Sequence, residues 1–225
     1  MPRARQSRDW DRDLTAARAA EAELAAILEH DPRLEDFEDH SGGHDRLDFS
    51  FTYKDLTIHL DLKEKRQRYS AGYEKLWPEV APDDLFIVDE TVYRRIVWQG
   101  GGGYLAIHDY PGRRWLLFGP WELTLGPRFR YERLGNRGGR DFLKGKILLD
   151  LSTAGDERGE FSVGALLKVI ERSIRIRDGV EAVEIPGYPI PEVGREQAPK
   201  RSKGAGPVAP EREEKASQTP DTLFS

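Results

Sequence analysis

The sequence predicts a mixed α/β fold with a mixed sheet, and three observations carry that prediction. An alanine- and leucine-rich helix opens the chain, two runs of alternating apolar and polar residues follow as a hairpin, and strand and helix patterns then alternate to about residue 175. From Pro186 the pattern stops. Half of the 14 prolines lie between Pro186 and Pro220 among few large apolar residues, which predicts a disordered C-terminal tail. The expected division is a domain over 1–180, with its core at about 10–110 and a basic, β-rich extension over 111–180, followed by the tail at 186–225.

The first helix is predicted from Asp11 to Glu29. At roughly 100° per residue, Trp10, Leu14, Ala17, Leu24 and Leu28 share one face. Glu21 falls inside that stripe, whereas Glu23 points to solvent. An acid on the core-facing side of a helix needs a partner.

The runs Leu47–Tyr53 and Thr57–Lys63 read as strands joined by a tight turn at Lys54-Asp55. Leu47, Phe49, Phe51 and Tyr53 share one face of the first run. Leu56, Ile58, Leu60 and Leu62 share one face of the second. The register that superposes these faces pairs Phe51 with Ile58, Phe49 with Leu60 and Leu47 with Leu62, and a one-residue slip breaks the agreement. The same register sets Asp48 across from Asp61, with Lys63 and His59 on that polar face. Two carboxylates directly opposite are roughly 4.5–5.5 Å apart at Cβ, where like charges destabilise a sheet. A shared hard cation such as Mg²⁺ is one remedy. The lysine ammonium is placed to orient water or to stabilise charge on a phosphate.

Beyond the hairpin, a short helix is expected at Ala71–Trp77, ended by Pro78. Leu85–Val88 reads as a buried strand, Thr91–Trp98 as a helix and Tyr104–His108 as a strand. Arg114–Phe118, Trp121–Leu125 and Lys146–Leu151 read as further strands. Ser162 caps a last helix in which Val163, Leu166, Leu167, Ile170 and Ile174 recur at helical spacing.

Composition limits the function. The chain of 225 residues is 38 % hydrophobic, with no run approaching the ~20 apolar residues of a membrane span and no signal peptide. The absence of cysteine excludes disulfides, thiolate metal sites and cysteine nucleophiles, and fits a cytoplasmic protein. The net charge of −5 is unevenly spread: residues 63–150 carry 16 bases against 12 acids, whereas residues 1–62 carry 8 against 15. A local positive field can attract a polyanion to an acidic protein.

A helix bearing a glutamate, a strand with an aspartate and a hairpin return carrying (D/E)-x-K together resemble the PD-(D/E)xK nuclease superfamily, whose fold is restriction-endonuclease-like. The resemblance covers roughly residues 10–110. Asp48 matches the first aspartate, Asp61-Leu62-Lys63 the D-x-K half and Glu21 the acid of the first helix. Leu47 stands where the family name has proline, and no subfamily is identified. The resemblance implies phosphodiester cleavage in DNA, with repair, replication or restriction as settings. It further implies Mg²⁺ or Mn²⁺ held by Asp48, Asp61, the Leu62 carbonyl and Glu21, with Lys63 assisting water attack and a possible homodimer.

Lys65, Arg66 and Arg68 follow the D-x-K directly and are expected to contact nucleic acid. Arg128, Arg130, Arg133, Arg137 and Arg140 interleave with Phe129, Tyr131 and Phe142, a pattern suited to phosphate contact and base stacking. The C-terminal segment resembles the short peptide by which bacterial replication and repair proteins hold the sliding clamp, matching at Gln218, Leu223 and Phe224 but not at Asp221. Gly100–Gly103 lacks the Lys-Ser/Thr of a P-loop, and the histidines have no dependable ligand spacing. Two rival readings remain: a non-catalytic nucleic-acid-binding or scaffold protein recruited through its tail, and a hydrolase of a small phosphorylated compound.

Overall fold

Helix α1 (Ser7–Glu29) leads into an antiparallel meander of β1 (Glu35–Asp39), β2 (Phe49–Tyr53) and β3 (Leu56–Lys65). β4 (Leu85–Asp89) and α2 (Glu90–Trp98) then carry the chain over to β5 (Gly103–Asp109), which pairs with β3 in parallel. β6 (Arg114–Phe118), α3 (Pro120–Leu125), β7 (Arg128–Arg137), β8 (Arg140–Asp150), β9 (Asp156–Arg158) and α4 (Val163–Arg177) complete the order. The six-stranded mixed sheet runs β1-β2-β3-β5-β6-β9, and a three-stranded antiparallel sheet runs β4-β8-β7.

This computed structural model describes residues 7–43, 45–69, 75–137 and 140–185, which fall within one unit bounded at Ile190. Most of the helix expected at Ala71–Trp77 and the whole tail, with Gln218, Leu223 and Phe224, lie outside the described residues. Of that helix, Lys75 and Leu76 form a turn. Among the described residues, no helix is long and apolar enough to cross a membrane.

The large sheet is covered on both faces. On one, Leu24 and Leu28 of α1 and Leu166 and Ile170 of α4 pack on Phe49, Phe51, Ile58, Leu60, Tyr104 and Ala106. On the other, Tyr93 and Ile96 of α2, Leu123 of α3 and Ile147 and Leu149 of β8 pack on Leu105, Ile107, Leu116 and Phe118. Ser162 Oγ accepts from the Ala165 amide at 3.1 Å, which satisfies an orphan donor of α4.

The hairpin register agrees with expectation from Phe49↔Leu60 to Tyr53↔Leu56. Phe49, Phe51, Ile58 and Leu60 are all essentially inaccessible, and full burial of each is worth roughly 1.5–3 kcal/mol. That sum outweighs the turn, where Lys54 and Asp55 both take positive φ, 49° and 61°, to close a two-residue connection without glycine.

Two expectations are corrected. Leu47 does not continue the ladder opposite Leu62, because the chain leaves the sheet at Asp48 and Leu47 packs into the opposite core. Trp121–Leu125 is helical, not a strand. Pro120 presets the first helical turn, and Glu122 Oε2 accepts from the Gly119 amide at 2.9 Å. Strand β1, with the sequence Glu-Asp-Phe-Glu-Asp, gave no apolar alternation to find: only Phe37 is partly buried, against Phe49.

Candidate active site

The site is a notch made by unequal strand lengths. β2 pairs with Leu56–Leu60 only, so β3 runs on through Asp61–Lys65 with no strand on that side among the described residues. The Asp48 carboxylate takes the place of the missing rung, its Oδ2 accepting from the Leu62 amide at 2.8 Å. The main chain of Asp48 is fixed from the other side, where its carbonyl accepts from the His40 amide at 2.8 Å.

Lys63 fills the notch. Its Nζ lies 2.6 Å from Asp61 Oδ2 and 3.6 Å from Asp48 Oδ2, and donates to the Leu62 carbonyl at 2.8 Å. The like-charge conflict anticipated between Asp48 and Asp61 is therefore relieved by an ammonium of the chain itself. The relief is incomplete. Asp61 is 3 % exposed, and its Oδ2 has only the off-axis approach of the ammonium, with no hydrogen bond of good geometry among the described residues. Asp61 shares its sheet face with Leu105, its parallel neighbour, so it points toward the α2 side.

The electrostatics follow from burial and proximity. Desolvation raises the Asp61 carboxyl above its ordinary range; Asp48 adds to the rise, while Lys63 and, from α2, Arg95 oppose it. Burial works against the Lys63 charge, but Asp61 and Asp48 outweigh it and hold the ammonium above the usual lysine value. Glu21, on α1, feels the charges of Asp48 and Lys63. Burial and then the charge of Asp48 push its carboxyl up to about 7, against the pull of Lys63. Asp48, Asp61 and Lys63 thus converge, and Glu21 lies within electrostatic reach of Asp48 and Lys63 without joining the two aspartates in one cluster. His59 lies two residues before Asp61 on the same face, and burial, with the charge of His40, lowers its pKa.

Among the described residues, no three His, Asp or Glu side chains are gathered closely enough to form a metal cage. The notch instead offers two carboxylates and one carbonyl. All are hard oxygen donors, and all already face one cation, so this donor set fits a Mg²⁺ or Mn²⁺ ion.

The basic residues expected to hold nucleic acid fare unevenly. Lys65 is withdrawn from that set: it is 2 % exposed, donates to the Asp83 carbonyl and lies 3.7 Å from Asp109. Arg66 forks onto Glu64 at 2.6 Å and stacks on Tyr110. Arg68 is exposed, 3.2 Å from Asp83. Arg128 donates to the Thr124 carbonyl and lies over Tyr93, and Arg130 binds Glu90 at 2.9 Å and Glu132 at 3.1 Å. Arg133 is exposed on β7. Arg137 and Arg140 are paired in register at the hairpin end, and their side chains lie outside the description. The sequence reading missed Arg95, which donates to the Arg46 carbonyl at 3.1 Å on the irregular segment leading to Asp48. No spacing rule links position 95 to position 48; only the packing of α2 on the sheet does.

No protein-family model, curated protein or solved structure matches the chain.

Proposed function

We propose that this protein is a metal-dependent nuclease of the PD-(D/E)xK type, hydrolysing phosphodiester bonds in DNA. The observation that carries the reading is the meeting of Asp48, Asp61, the Leu62 carbonyl and the Lys63 ammonium in one notch, with Glu21 within electrostatic reach of Asp48 and Lys63. The helix, meander, crossover and parallel strand that frame the notch support a restriction-endonuclease-like core.

Asp48, Asp61 and the Leu62 carbonyl would hold Mg²⁺ or Mn²⁺, which supplies Lewis-acid polarisation of the phosphate and a more acidic bound water. Lys63 stays charged through neutral pH and presents a donor to the developing negative charge on phosphate oxygens. Glu21, with its carboxyl near 7, exchanges a proton readily at neutral pH and suits general acid–base work. The Leu62 amide holds the Asp48 carboxylate in position throughout.

The test is cleavage of plasmid and linear DNA with Mg²⁺ by purified Asp61→Ala and Lys63→Ala. Losses of at least roughly 10²–10³-fold are expected, with each variant folded by circular dichroism. Wild-type rates from both would end the nuclease reading. A second reading, a non-catalytic nucleic-acid-binding protein, draws on one feature: Lys63 already neutralises the paired acids. It expects DNA binding that survives Asp61→Ala, with no cleavage by the wild type.

A further inference from the structure

Helix α2 crosses the Asp61 side of the sheet, and its outer surface has no role in the notch chemistry. It carries Trp98, which at 87 % exposure is the most exposed of the large apolar side chains described. An indole left in water gains nothing from the fold. One turn earlier on the same helix surface stands Arg95. Arg95 reaches the carbonyl of Arg46, itself exposed and two residues before Asp48, and its charge is felt at Asp61. From the paired carboxylates outward, the order is therefore a guanidinium and then, about 5 Å along the helix, a bare aromatic ring. The end of α2 is also held in place. The turn Gly100–Gly102 that follows it lies so close to β3 that a Cβ on Gly102 would come within 2.6 Å of the Thr57 carbonyl oxygen.

A phosphate spaced from an aromatic face is the repeating chemistry of an unpaired polynucleotide. Guanidinium suits the phosphate, and stacking on an indole is available to any base. A paired base has its faces covered within the duplex and offers nothing to Trp98. We propose that the outer face of α2 binds the unpaired strand adjoining the phosphate to be cleaved, Arg95 engaging a phosphate and Trp98 stacking on a base. The inference rests on the nuclease reading for its choice of substrate but not on any catalytic event.

The experiment measures equilibrium binding of the full chain, in EDTA, to a fluorescein-labelled single-stranded oligothymidylate and to a blunt hairpin duplex of equal length, by anisotropy. Trp98→Ala should weaken the single strand roughly fivefold or more while changing the duplex less than about twofold, and Trp98→Phe should retain most of the affinity. Arg95→Ala should weaken both ligands and lower the salt slope by about one. Single-strand affinity of Trp98→Ala equal to wild type, equal losses on both ligands, or no binding by the wild type would each overturn the proposal. Because no cleavage occurs in EDTA, the two readings fail separately. Wild-type cleavage by Asp61→Ala removes the nuclease assignment, and a Trp98-dependent preference for single strands still stands.

Discussion

Lys63 and Lys65 are two residues apart on one strand and point to the same face, yet they live in opposite electrostatic settings. Lys65 is sealed. Its side chain is 1 % exposed, its Nζ donates to the Asp83 carbonyl, and Asp109 beside it is gripped by Arg114 at 2.9 Å. Arg114 in turn reaches Asp84 at 2.7 Å and Glu157 at 3.3 Å, so three acids and two bases close on one another. Lys63 is 30 % exposed, serves two acids, and leaves the Asp61 Oδ2 without a hydrogen bond of good geometry among the described residues. Burial disfavours both ammonium groups, but the outcomes differ: Lys65 falls below the ordinary lysine value, helped down by Arg114, while the acids around Lys63 outweigh burial and hold it above. A closed network holds β3 against its neighbours. An open one, short of a partner and within reach of solvent, is poised to accept one.

The largest effect expected from this contrast is on stability at the sealed end. Lys65→Met leaves Asp109 buried at 1 % exposure and removes the donor to the Asp83 carbonyl. A cost of about 3–5 kcal/mol is expected from breaking a buried pair on one side. Urea unfolding measures it, and a loss below about 1 kcal/mol would show that Arg114 alone satisfies Asp109.

Much of this was legible in the sequence, and the boundary is physical. The β2–β3 register could be read because Phe49, Phe51, Ile58 and Leu60 leave one pairing that buries them together. Glu21 could be read because it interrupts an apolar stripe. What could not be read was anything set by the parallel β3–β5 pairing, since the crossover between those strands gives no local register. That pairing puts Lys65 beside Asp109 and so turns an expected phosphate contact into a structural ion pair. β1 and β7 were missed for a related reason. A charged strand gains its place from neighbours, and propensity alone does not announce it.

A middling effect should separate ammonium from metal at the open end. Lys63→Met leaves Asp48 and Asp61 facing each other with their cation gone. Melting should fall by less than in Lys65→Met, since Lys63 is partly solvated and Asp61 can take up a proton. Added Mg²⁺ should then raise the melting temperature of Lys63→Met more than that of wild type, because the ion no longer competes with an ammonium for the same oxygens. The double variant Lys63→Met/Asp61→Asn should lose that extra response. Equal Mg²⁺ shifts in all three proteins would mean that the notch holds no metal.

The smallest expected effect concerns Glu21 and is read from pH alone. Its carboxyl sits at about 7 in the fold against 4.5 for the ordinary group, so between those values the folded chain binds a proton that the unfolded chain has released. Stability must therefore fall as pH rises from about 4.5 to about 7, and the penalty is complete above that. Glu21→Gln cannot ionise, so its melting temperature should decline less over this window, with wild type and variant converging toward pH 4.5 and separating in favour of the variant at pH 8. The cause is burial, which disfavours the Glu21 charge, with the Asp48 charge adding to the penalty. Combining Glu21→Gln with Asp48→Asn should thus give less than the sum of the two single changes. Strict additivity would place Glu21 outside the electrostatic reach of Asp48 and return it to the ordinary surface of α1.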